Sequence, residues 1–249
     1  TFTYVGTAEG LQNHIDSGTQ VFDVEGRVVL PGLIDAHTHP GYVASDTEIV
    51  ALPHTGTLDD VFAALVEHVK ANPGDDFIIG GYWNTALFDE KGPNKKVLDA
   101  VVPDRPVMLY DWSGHSQWMN SKALKVLGIT RDTPDPVPGL SFFYRDKDGN
   151  PTGWAKEFAV RQQMQALGLV GQFNADKLLG FLIYLRSMGV TTLYDAGNSG
   201  WGGGIYEAVA QLDREGRLPI RYEGSYHVIL PNQFDHALDT LKRWQADYG

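Results

Sequence analysis

The sequence predicts an α/β protein built on parallel strands, and three observations lead there. From 176 to 228 the pattern alternates between amphipathic helix and β-branched strand, the order that makes parallel sheets. The run Val29-Leu-Pro-Gly-Leu-Ile-Asp-Ala-His-Thr-His-Pro40 is short, apolar and closed by breakers at both ends, which reads as a buried strand. Residues 40 to 175 are far too many for one return connection, so they must hold structure of their own.

Residues 1 to 30 read as short strands and turns. Val21-Phe-Asp-Val24 and Arg27-Val-Val-Leu30, joined at Glu25-Gly26, suggest a hairpin-like unit leading into the next strand. In the long middle stretch, Thr57 is suited to cap a helix from Leu58 to about Ala71, stopped by Asn72-Pro73-Gly74. Asp76 to Trp83 and Pro106 to Asp111 follow as strands, and the two glycines of the first suggest close backbone approach. Asn120 to Leu127 reads as a short helix. Leu140 to Tyr144 and a partner strand flank the turn Asp146 to Asn150. Together, residues 40–175 read as an α/β subdomain inserted after the first main strand.

The main pattern then resumes. Asp176 to Met188 has Leu178, Leu179, Leu182, Ile183 and Leu185 for an inward face, with Gly189 as its stop. Val190 to Ala196 is a strand, Gly204 to Glu215 a helix, and Pro219 to Val228 a third strand.

Chemistry concentrates at the end of the first main strand. Alternation puts Leu33, Asp35, His37 and His39 on one face, so two imidazoles project to the same side. Two neutral imidazoles on one rigid segment suit zinc and its neighbours in the first transition row. Asp35, one pleat earlier, is placed to accept a ring N–H and fix a tautomer. Candidates for a substrate pocket are His115 in a Ser-Gly-His-Ser loop and Trp83 beyond a Gly-Gly strand end, which suits core packing equally, while Glu157 near a helix start reads by itself as a carboxylate serving the helix dipole or cap. Asp195 precedes Ala-Gly and reads first as a turn former, while His227 has no partner visible in the sequence. The Gly200-Trp-Gly-Gly-Gly204 stretch lacks the lysine and hydroxyl of a phosphate loop. No Gly-x-Ser-x-Gly elbow and no cysteine are present, which leaves covalent acyl-enzyme chemistry without support.

Composition narrows the class. A net charge of −11 gives no basic stripe for nucleic acid or an anionic membrane. No apolar run approaches a membrane span. The absence of cysteine removes disulfides and thiolate metal sites. Homo-oligomers remain compatible with this composition, the compartment is left open with the cytoplasm favoured, and a small-molecule substrate is implied only by the resemblance that follows.

Leu30 to His39 resembles the first-strand signature of the amidohydrolase superfamily of metal-dependent hydrolases. Gly114 to Leu124, Asp148 to Gly153 followed by Glu157, and Gly189 to Gly197 narrow the resemblance to the branch that holds N-substituted formamide deformylases. The resemblance implies a partial (β/α)₈ TIM-like barrel: its first three strands within 31–249, part of a small β-sandwich in 1–30, and the 40–175 insertion over the barrel mouth. It implies one or two divalent ions, zinc first, on His37 and His39, with His115, Trp83 and Glu157 near the substrate. It also implies that further ligands and the general base lie beyond Gly249, and that a C–N bond of an amide or formamide is cleaved. The alternative is a catalytically silent relative that serves as a regulatory or ligand-binding protein.

Overall fold

The computed structural model describes residues 2–45, 49–74, 76–170, 173–197, 204–228 and 231–249. In chain order it gives α1 (Ala8–Leu11), β1 (Leu33–Thr38), α2 (Pro40–Val43), β2 (Val50–Ala51), α3 (Leu58–Ala71) and β3 (Ile78–Trp83). There follow α4 (Lys95–Val101), β4 (Val107–Asp111), β5 (Ser116–Met119), α5 (Ser121–Val126), β6 (Phe143–Arg145), β7 (Pro151–Lys156) and α6 (Arg161–Ala166). The chain closes with α7 (Ala175–Ser187), β8 (Val190–Asp195), α8 (Gly204–Arg214), β9 (Arg221–Glu223) and α9 (Ala237–Tyr248). Among the described residues no helix is long and apolar enough to cross a membrane.

The strands form two sheets, one of three strands in the order β1-β8-β9 and one of six in the order β2-β3-β4-β5-β7-β6. All pairs of the smaller sheet are parallel. Its core joins Leu178 and Leu182 of α7, Leu193 of β8, Ile205 and Val209 of α8, and Ile220. Only the stripe through Leu178 and Leu182 of α7 is fully covered, and Ile183, expected on the inward face, is open to solvent.

The strands of the six-stranded sheet all lie between β1 and β8 in the chain. Its β2-β3-β4 pairs are parallel, and β4-β5, β5-β7 and β7-β6 are antiparallel. Successive residues alternate between two cores. Ile78, Leu109 and Trp118 face one with Leu65 and Leu98, and Ile79, Met108 and Met119 face the other with Leu124 and Phe143. A sheet covered on both faces reads as a near-continuous apolar run, as β3 and β4 do. The α3 boundary follows from its cap: Thr57 Oγ1 accepts the Asp60 N–H, and the Asp60 carboxylate accepts the Thr57 N–H, a reciprocal capping box.

Three expectations are corrected. The hairpin of residues 21–30 does not form. Glu25 and Gly26 both have positive φ and Arg27 N–H reaches the Val24 carbonyl at 3.0 Å, so the turn exists, but its flanks pair with nothing and are exposed. An uncovered two-stranded ribbon has too little to bury. Second, β1 is not a buried strand. It is the edge of its sheet, with Leu33 57% and Ile34 68% exposed. Third, Ser116, expected in the Ser-Gly-His-Ser loop, opens a central strand, Ser116–Met119, with all four residues buried. The third main strand is also shorter than expected, three residues rather than ten.

Candidate metal centre

The parallel β1–β8 pair sets the site. Its register runs Leu33↔Val190, Ile34↔Thr192, Asp35↔Leu193 and Thr38↔Asp195, irregular before the last pair. Strand geometry ends at Thr38. His39 departs from it (φ −129°, ψ 75°) as the residue before Pro40, which opens α2. The two imidazoles nonetheless stand together, ring centroids 5.2 Å apart and planes at 87°.

The β8 side holds His39 in place. His39 Nδ1 lies 3.0 Å from the carbonyl oxygen of Gly197. A carbonyl only accepts, so Nδ1 carries the proton and Nε2 keeps its lone pair. Tyr42 packs edge-on to the same ring at 6.0 Å. The Ala196 N–H reaches the Thr38 carbonyl at 2.9 Å, which ties the Gly197 turn to the end of β1. Gly197 itself must be glycine, because it has φ +134° and a Cβ there would lie 2.6 Å from the His227 ring.

Asp35 does a different task from the one expected. Its carboxylate accepts the backbone N–H of His37 at 3.1 Å and steadies the strand rather than an imidazole. Spacing of two on a strand leaves the backbone amide nearer than the ring.

The six-stranded sheet contributes a second pair, from the residues that follow β4 and β7. Glu157 Oε2 is 2.8 Å from His115 Nδ1, and the Glu157 N–H donates to the His115 carbonyl at 2.7 Å. Glu157 holds a left-handed backbone, φ +55°. The next residue, Phe158, meets the His227 ring edge-on at 6.5 Å and carries the Arg161 guanidinium over its face at 5.6 Å. Contacts thus run from His39 through Gly197, His227 and Phe158 to the His115–Glu157 pair. Burial first, then the neighbouring His39 and Arg161, hold the His227 ring below the ordinary histidine pKa, with Asp195 opposing them. Among the insertion's aromatics, burial pushes the Tyr110 hydroxyl up to about 12.

Trp83 is removed from the pocket set. It is 1% exposed, packs edge-to-face on Phe88 and Trp118, and donates its indole N–H to the Leu109 carbonyl at 3.1 Å. It is core because β3 is a covered central strand. Gly200 to Gly203 of the glycine-rich stretch lie outside the described residues. Among the described residues, no group of three or more His, Cys, Asp or Glu side chains is arranged to hold a metal ion. His37 and His39 together make a two-donor set.

A parallel α/β scaffold with an imidazole pair at the carboxyl end of its first strand defines the class. The chain belongs to the amidohydrolase family, whose sequence profile matches residues 20–248. The exoenzymes regulatory protein AepA of Pectobacterium carotovorum subsp. carotovorum is 31% identical over 255 residues, covering 98% of this chain and 54% of that protein. The N-substituted formamide deformylase of Arthrobacter pascens is 34% identical over 159 residues, covering 63% of this chain and 29% of that protein. The chain therefore spans about half the length of the first relative and less of the second. The crystal structure of an uncharacterized metal-dependent hydrolase from Pyrococcus horikoshii OT3 shares the fold, with a TM-score of 0.51 at 22% identity over 96% of this chain and 44% of that one.

Proposed function

We propose that this chain supplies the opening metal ligands and the substrate-facing insertion of a metal-dependent hydrolase that cleaves a C–N bond of an amide or formamide. Its three parallel strands fit the start of a (β/α)₈ barrel. His37 and His39 hold one divalent cation, zinc being the best match to two neutral imidazoles. The observation that carries this reading is the bond from His39 Nδ1 to the Gly197 carbonyl, which presents Nε2 beside the His37 ring. A bound divalent ion supplies Lewis acidity and water acidified toward neutral pH. The chain's own groups do the rest. Glu157 and His115, paired at 2.8 Å, are the groups that would pass a proton to the leaving nitrogen. Phe158 and Tyr42 line the apolar part of the mouth.

The relative named a regulatory protein supports a second reading, an amidohydrolase-type protein that binds a small molecule without cleaving it. Both readings are tested by metal analysis and by amine release from a panel of N-formyl and N-acyl amines. The first expects bound metal, lost in the His37→Ala/His39→Ala variant, together with turnover. Metal without turnover favours the second, and equal metal in both proteins refutes the chelate.

A further inference from the structure

Asp195 lies at the end of β8, completely buried, and among the described residues its carboxylate meets hydroxyl and amide donors. Oδ1 accepts the Gly197 N–H at 3.0 Å. Oδ2 accepts the Tyr222 hydroxyl at 2.8 Å and lies 3.3 Å from the Tyr206 hydroxyl, whose one proton is shared with the Ser225 carbonyl at 2.6 Å. Ser225 Oγ donates to the Asp195 carbonyl at 2.8 Å. Such a satisfied buried network rigidifies what it holds. What it holds here is the turn that carries the Gly197 carbonyl, and that carbonyl takes the His39 Nδ1 proton.

We infer that Asp195 is a positioning residue: acting through the Gly197 turn, it selects the His39 tautomer that leaves Nε2 open. The argument is geometric. One peptide unit of Gly197 donates its N–H to Asp195, and the same residue offers its C=O to His39. If Asp195 releases the N–H, the turn can rotate and the C=O loses its aim. His39 then has no acceptor fixing the proton on Nδ1, and both ring tautomers become populated. Tyr222 and Tyr206 pin the far oxygen of the carboxylate, so the side chain cannot swing to follow the turn.

The test reads the tautomer directly and needs no metal. Long-range ¹H–¹⁵N correlation spectra of the ¹⁵N-labelled protein are recorded above about pH 8, where an ordinary histidine is neutral. His39 signals are assigned by their loss in His39→Gln. The unsubstituted protein is expected to show a protonated Nδ1 and a bare Nε2, and the opposite pattern overturns the inference at once. Asp195→Asn keeps an oxygen for the Gly197 N–H and should preserve the pattern. Asp195→Leu/Tyr222→Phe removes acceptor and principal donor together, so little is left unpaired, and should give a mixture of tautomers. A folded double variant with His39 unchanged overturns the inference, as does loss of the pattern in Asp195→Asn.

The consequence for metal rests on the function proposed above. Zinc affinity should fall about 10- to 100-fold in the double variant and hold in Asp195→Asn, as for other groups that orient a ligand. A tautomer shift with no zinc bound by any of the proteins leaves the positioning role standing and removes the metal reading instead.

Discussion

Replacing Glu157 by glycine separates what this residue does for the fold from what it does for chemistry. Its φ of +55° places a side chain in the left-handed region, where Cβ crowds the following carbonyl. That conformation costs roughly 1–2 kcal/mol for a residue with a Cβ and nothing comparable for glycine. Against this relief stands the lost contact with His115 at 2.8 Å. The His115 side chain is 58% exposed, so the pair contributes only ~0.2–1 kcal/mol. The Glu157 N–H bond to the His115 carbonyl is backbone and survives. Glu157→Gly should therefore leave stability unchanged or raise it by about 1 kcal/mol, whereas glycine at an ordinary strand position costs about 0.5–1 kcal/mol. Urea unfolding followed by circular dichroism, with an unchanged m-value, measures this. Hydrolysis of the best N-formyl or N-acyl amine should fall at the same time. A glycine variant destabilised by about 1 kcal/mol or more would refute the view that strain is kept here for the carboxylate.

Two further perturbations follow from the packing and the electrostatics. Trp83→Ala should destabilise by about 3–5 kcal/mol, as for other buried tryptophans, and denaturant titration will show whether it does; near-native stability with an altered KM would restore Trp83 to the pocket. His227 contributes a pH dependence with a definite sign. Its folded pKa lies below its unfolded value, so the unfolded chain binds more protons between the two and stability falls as pH drops from about 6.5 toward the folded pKa. The thermal midpoint should then drop more between neutral and mildly acid pH for the unsubstituted protein than for His227→Gln, and identical drops would remove His227 as the source.

The insertion was legible where local rules decide. Thr57 with Asp60 announces the start of α3, and the Gly128 and Gly189 stops follow α5 and α7 at the expected places. Parallel pairing of β1, β8 and β9 followed from alternation alone. Elements whose stability is tertiary were misread. The Ser116–Met119 strand has no signal of its own in the sequence, because its polar members Ser116 and Gln117 are buried by neighbours that only the fold supplies. The 21–30 ribbon looks like two strands because propensity cannot report that no partner covers them.

The candidate site divides along the same line. Two histidines at spacing two are visible in sequence, and their rings stand 5.2 Å apart although His39 has already left the strand. Which of their nitrogens is open is not visible. That depends on Gly197, which reads only as turn punctuation, and on Asp195, for which the turn reading accounts for one oxygen alone. The other oxygen meets Tyr206 and Tyr222, eleven and twenty-seven residues away on different elements. A carboxylate buried without a cation gives itself away only when its donors are found in space. Its functional weight therefore lies in the one bond it makes nearest to home, where it holds the amide of Gly197, the residue whose carbonyl faces His39.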